Sequence, residues 1–169
     1  MIKYLNLILI IVFMNSCQQK GNSSMVLENK QEIVDSAKAI VQKIFELSNN
    51  HKFVEGLDYY ANDTEAYYVN NGTVLNLSDL KKSYENIAPS VEVLENSIDS
   101  WNTKVLSEDV VLFTLPVRLK IKLKGIPEYN GQLVWSGVLQ KIKDKWVVVQ
   151  SHESWLNCVE VNSALSSAN

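Results

Sequence analysis

The sequence predicts an α+β fold in which three N-terminal helices pack on a curved, mainly antiparallel sheet. Three observations carry that expectation. Apolar residues in the first third recur at three- and four-residue spacing. From residue 91 onward the period changes to two. The stretch from Gly131 to Trp155 then reads as two strands joined by a short polar turn, and it holds three of the chain's four Trp.

The elements follow in order. Val26 to Leu47 places Val34, Ala37, Ile40, Val41, Ile44 and Phe45 on one helical face, with Asn49 and Asn50 as the stop. Lys52 to Tyr60 predicts a short second helix with Phe53, Leu57 and Tyr60 on one side. Tyr67 to Leu75 predicts a small hairpin turning at Asn71-Gly72. Ser78 is the expected cap of a third helix, Asp79 to Ile87, which Pro89 ends. Val91 to Val105 predicts one strand. Val111 to Leu123 predicts a long half-buried strand, because its apolar residues alternate with Thr114, Arg118, Lys120 and Lys122. Pro116 has no N–H to donate, so an edge position or a bulge is expected there. Gln132 to Ile142 and Trp146 to Trp155 are the last two strands.

Composition excludes several function classes. The formal charge is −3, and Arg118 is the only Arg, which disfavours nucleic acid as a partner. There are two His, two Cys and no Gly-rich phosphate loop. No metal, no cofactor and no nucleophilic triad is expected from that inventory. Arg118, Lys120, Lys122 and Lys124 form a basic stripe that reads as a solvated face guarding a sheet edge. A contact with anions or phospholipid headgroups is the other reading of that stripe.

Leu5 to Phe13 is an unbroken apolar run except for Asn6, preceded by Lys3. It is shorter than the roughly 20 residues needed to span a bilayer. With Met14, Asn15 and Ser16 leading into Cys17, it resembles a bacterial lipoprotein signal. The resemblance implies cleavage before Cys17, lipidation of its thiol, and a place in the bacterial cell envelope, at the outer membrane in a Gram-negative cell. Residues 1–16 are then a leader, 17–25 a polar tether, 26–158 one domain and 159–169 a polar tail. Loss of Lys3 with the leader leaves 15 bases against 19 acids, a formal charge of −4.

The element order and the run VLQKIKDKWVVVQSHES, residues 138–154, resemble the nuclear-transport-factor-2-like superfamily, which includes ketosteroid isomerases and SnoaL-like polyketide cyclases. Relatives often carry a His where Gln150 stands. The resemblance implies a cone-shaped α+β barrel with a conical pocket between helices and concave sheet. It does not imply one activity, since the fold hosts unrelated ones.

Strand parity then nominates the pocket wall. In the last strand Trp146, Val148, Gln150, His152 and Ser154 share one face. A two-residue turn, at Lys143-Asp144 or Asp144-Lys145, brings Trp135 onto that face, opposite His152 in the first case and Ser154 in the second, whereas a three-residue turn would bring in Val134, Ser136 and Val138 instead. The expected ligand-binding set is therefore Trp135, Gln150, His152 and Ser154, with Tyr60, Tyr68 and Trp101 lining the pocket from elsewhere. The expected ligand is small and partly apolar. For acid–base chemistry the candidates are His152 with Asp99 or Asp58, Asp99 having the parity of Trp101. Val147, Val149 and Trp155 fall on the other face, where a homodimer through the convex side of the sheet is expected.

Overall fold

The computed structural model describes residues 27–70 and 72–156, of which Leu27 and Glu28 are described in backbone only. The leader, Cys17, the tether, Asn71, Cys158 and the tail lie outside the described residues. Helix α1 spans Leu27–Asn49, α2 Phe53–Gly56 and α3 Leu77–Ile87. The strands are β1 Tyr67–Asn70, β2 Thr73–Leu75, β3 Val91–Ile98, β4 Asn102–Ser107, β5 Val110–Leu123, β6 Tyr129–Ile142 and β7 Lys145–Trp155. They form one sheet in the order β2-β1-β7-β6-β5-β3, with β4 also on β5. Among the strands of the described residues only β1 on β7 is parallel, so the sheet is mixed, though mainly antiparallel.

The period-two pattern of β5 builds the core. Val111, Phe113, Leu115, Val117 and Leu119 are all buried, and Ala37 and Val41 of α1 join them. Each such side chain contributes about 1.5–3 kcal/mol through burial. The end of α1 is fastened to the edge strand β3. Asn49 Oδ1 accepts from the Asn96 backbone N–H at 2.6 Å, and Asn49 Nδ2 donates to the Asn96 carbonyl at 3.0 Å. The side-chain amide thus occupies the place of a neighbouring strand, and it fixes Ser48 beside Asn96.

Four expectations are corrected. The N-cap of α3 is Asn76, whose Oδ1 accepts from the Asp79 N–H at 2.9 Å, so the helix begins one residue before Ser78. The stretch 91–105 is two strands laid successively along β5, broken at Asp99–Trp101. Pro116 is neither on an edge strand nor at a bulge, because its pairing with Val134 is regular. Its carbonyl accepts from the Asp99 N–H at 2.9 Å. The carbonyl and the N of one strand residue point the same way, so the missing donor points into the break between β3 and β4. That break also defeats the parity shared by Asp99 and Trp101: Asp99 pairs with the exposed Arg118, whereas Trp101 packs on buried Phe113.

The fourth correction concerns β7. Its turn has two residues, as expected, and of the two positions left open it falls at Lys143-Asp144; both residues have positive φ, as a tight hairpin turn with right-handed strands requires. Leu139 pairs with Val148, but the next pair along is Val138 with Gln150. Val149 is therefore a bulge, one extra residue in β7. Beyond it every side chain changes face relative to a regular ladder. The bulge coincides with a change of neighbour on the far side of β7. Val148 bridges to Tyr60 and accepts from the Ala61 N–H, whereas β1 begins at Gln150.

Candidate functional site

Because of the bulge, Trp135 pairs with Glu153, Gly137 with Ser151, and Leu133 with Trp155. These residues line the concave face. Gln150, His152 and Ser154 pair with Val138, Ser136 and Val134 on the convex face, and His152 and Ser154 are exposed. The expected wall of Trp135 with Gln150, His152 and Ser154 is therefore corrected: Trp135 stays, and Ser151, Glu153 and Trp155 replace the other three. Trp155 correspondingly leaves the convex face. Val147 and Val149 are partly buried against the core.

Between the helices and the concave face lies an open-mouthed cavity of about 470 Å³, walled by Phe53, Leu75, Tyr84, Leu94, Leu119, Ile121 and Trp155. A smaller lobe of about 80 Å³ reaches inward beneath Phe45, Tyr60 and Trp135. The two share Ser48, Phe53, Tyr84, Asn96, Leu133 and Glu153, so Glu153 stands where they meet. The main lobe falls in the size range of small-molecule pockets.

Each wall residue is held from behind. A Cβ on Gly137 would lie 2.1 Å from the Trp135 ring, so the bare glycine is what lets that indole lie flat on β6. Trp135 then meets Phe45 edge-on, with ring centres 6.1 Å apart. Phe53 meets Tyr84 in the same way at 5.7 Å. At the mouth, Tyr129 lies beside Trp155 at 6.4 Å. The Ser151 hydroxyl and the Trp135 indole N–H are hydrogen-bond neighbours of the Tyr60 hydroxyl.

Burial pushes the Glu153 carboxyl up to about 7, and the Trp155 indole opposes that rise. Burial is also the main reason that the Tyr60 and Tyr84 phenols are raised above their ordinary value, with the Glu153 charge acting in the same direction. A carboxyl that gains or loses its proton near neutrality thus sits between two phenols that stay protonated. Such an arrangement serves proton transfer or hydrogen bonding to a ligand.

The remaining expected residues are distributed as follows. Tyr60 does line the inner lobe. Tyr68 is 1% exposed, and its hydroxyl donates to the carbonyls of Ala61 at 2.6 Å and Val148 at 3.1 Å, which makes it a structural clamp. Trp101 packs edge-on against Phe113, with Lys38 Nζ 4.5 Å above its ring. Asp99 is held by Arg118 Nε at 2.7 Å. Asp58 borders a separate concavity beside the β6–β7 turn. Neither acid is brought to His152. In the basic stripe, Lys120 lies 3.6 Å from both Glu95 and Glu128, and Lys122 lies 2.8 Å from Glu92. With Arg118 on Asp99, three of its four cations already face acids on the protein. Among the described residues, no group of three His, Cys, Asp or Glu could hold a metal ion.

A helical lid over a concave sheet, with an aromatic cavity and a single carboxyl at its waist, defines a pocket-forming α+β cone. The chain belongs to the SnoaL-like domain family, whose profile matches residues 37–157. No curated protein matches the sequence. Solved structures with the same architecture include a protein of the nuclear-transport-factor-2-like family from Streptomyces avermitilis. It is 16% identical, with a TM-score of 0.65 over 75% of this chain and 98% of that one. A superfamily protein from Salmonella enterica is 10% identical, with a TM-score of 0.66 over 75% and 92%. The type 3 hexachlorocyclohexane dehydrochlorinase of Novosphingobium barchaimii is also 10% identical, with a TM-score of 0.66 over 76% and 89%. At these identities the likeness is one of fold.

Proposed function

We propose that this chain is a lipid-anchored protein of the bacterial cell envelope, tethered through Cys17, whose cone binds one small, partly apolar ligand. The observation that carries the binding reading is the position of Glu153: a carboxyl with no salt-bridge partner among the described residues, at the waist of an apolar and aromatic cavity. Native mass spectrometry of the protein purified from its own membranes tests it. The expected spectrum holds a non-covalent adduct released on activation, and a spectrum of bare protein contradicts the reading. The same spectrum reports the mass of the lipid on Cys17.

Acid–base catalysis is a second reading, supported by the near-neutral Glu153 carboxyl beside Tyr60 and Tyr84. In it Glu153 takes a proton from carbon, and a phenol donates a hydrogen bond to the oxygen that gains charge. Deuterium wash-in from heavy water into an enolisable ketone, lost in Glu153→Gln, is the expected result. Wash-in that survives the substitution removes Glu153 from that role.

The homodimer reading now rests on other residues. Leu112, Pro116, Val134 and Val138 are partly exposed apolar positions on the convex face. Such a strip favours a second copy of the chain. Light scattering is expected to give twice the monomer mass, and a monomer rules the dimer out.

A further inference from the structure

The polar inventory of the cavity narrows the class of ligand. Among the described residues lining the two lobes, the only ionisable groups besides Tyr60 and Tyr84 are Asp79 and Glu153; none is Lys, Arg or His. A ligand carboxylate, phosphate or sulfate would therefore enter a site that offers it no counter-ion and two like charges. Buried charges in proteins are normally paired, yet Glu153 takes part in none of the ion pairs among the described residues. An ionised carboxylate has room for about four hydrogen bonds, and the one side-chain donor described for Glu153 is the Trp155 indole. The surrounding walls are Phe53, Tyr60, Tyr84, Trp135 and Trp155. Aromatic faces attract ammonium groups and offer anions nothing comparable.

We infer that the cavity is built for a cationic ligand, an ammonium group on an apolar body, with Glu153 as its counter-ion and the aromatic walls around it. The inference rests on the pocket reading above and specifies its ligand class. An ammonium group supplies the positive charge that Glu153 lacks within the protein, and the apolar body fills the outer lobe against Leu94, Leu119 and Ile121.

The pH dependence follows from the groups that line the two lobes with Glu153. From the helices these are Ser48, Phe53, Asp79, Ser83 and Tyr84, with Tyr60 from the turn after α2. From the strands they are Asn70, Asn96, Trp135 and Trp155. The two phenols stay protonated through neutrality. Among these groups Glu153 is the one that changes charge between mildly acidic and mildly basic pH, and Asp79 is exposed at the rim, where its carboxylate accepts from Asn76 Nδ2. A permanent cation requires ionised Glu153, so its affinity rises with pH up to the titration of that group and levels off above it.

The test uses the mature protein purified from its own membranes and three phenyl-bearing probes of similar size, followed by tryptophan fluorescence. Benzyltrimethylammonium is the cation, neopentylbenzene replaces its nitrogen with carbon, and 3-phenylpropanoate is the anion. At pH 8 the cation is expected to bind at least tenfold more tightly than the neutral isostere, with no measurable binding of the anion. That advantage is expected to shrink at pH 5.5. Glu153→Gln, with its thermal melt recorded to establish folding, is expected to bring the cation down to the affinity of the neutral probe. Asp79→Asn is expected to cost less than threefold. A neutral probe that binds as tightly as the cation, or an unchanged preference in Glu153→Gln, overturns the inference and leaves the pocket standing. A loss in Asp79→Asn equal to that in Glu153→Gln overturns the assignment to Glu153. Failure of all three probes to bind overturns the pocket reading as well.

Discussion

The two halves of the β6–β7 ladder obey the same alternation with opposite outcomes. Between the turn and the bulge, Trp146 and Val148 face the core, and Leu139 is opposite Val148, as a two-residue turn dictates. Beyond Val149, Ser151, Glu153 and Trp155 face the concave side, where Glu153 and Trp155 line the cavity and Ser151 is buried beside Tyr60, and Gln150, His152 and Ser154 face outward. One inserted residue decides whether a His or a Glu occupies the pocket. Turn type fixes register only as far as the first irregularity.

The largest expected effect comes from removing that irregularity. Deletion of Val149 forces either Glu153 and Trp155 outward or the whole strand to slide, and a loss of roughly 4 kcal/mol or more is expected in urea unfolding. A deletion variant as stable as the parent would show that the bulge does not set the face.

The next effect is a pH dependence of stability. Folding raises the Glu153 carboxyl from 4.5 to about 7, so between those values the folded state holds a proton that the unfolded state has released. Stability contributed by this group is full below pH 4.5 and is lost as pH rises toward 7, by up to about 3 kcal/mol. Glu153→Gln is expected to remove that slope from the pH profile of the melting temperature. An unchanged profile would place the slope elsewhere.

Gly137→Ala comes next. The added Cβ meets the Trp135 ring and forces it off β6, at a cost of about 1–3 kcal/mol and with a shift of Trp emission. Wild-type emission and stability would show that the indole has another place to lie. The smallest effect is that of His152→Ala, within about 0.5 kcal/mol and without influence on probe binding, since the side chain is exposed on the convex face. Loss of binding in that variant would return His152 to the site.

Much of the architecture was legible because it rests on periodicity. The spacing in α1, the alternation in β5 and the two-residue turn before β7 all gave the right elements. The cavity residues were less legible because the phase of β7 is hidden in Val147-Val148-Val149, three apolar residues that satisfy either face. Gly137, a bare position in the middle of an apolar strand, pointed to a close approach there, which the Trp135 ring makes, but not to the extra residue in the strand beside it. The break opposite Pro116 was hidden for a related reason: the missing donor was visible, but not which neighbouring strand would yield to it. Asp99 and Trp101 were separated by that break, and parity across a break carries no information.

The central claim is that the bulge turns Glu153 into the cavity and leaves it without a counter-charge. Carbon-13 NMR of the glutamate side-chain carboxyls, with Glu153 assigned by its absence in Glu153→Gln, tests this most directly. The account predicts a Glu153 resonance that titrates near pH 7. A midpoint near the ordinary glutamate value of about 4.3 would mean that the carboxyl is solvated, and would contradict it.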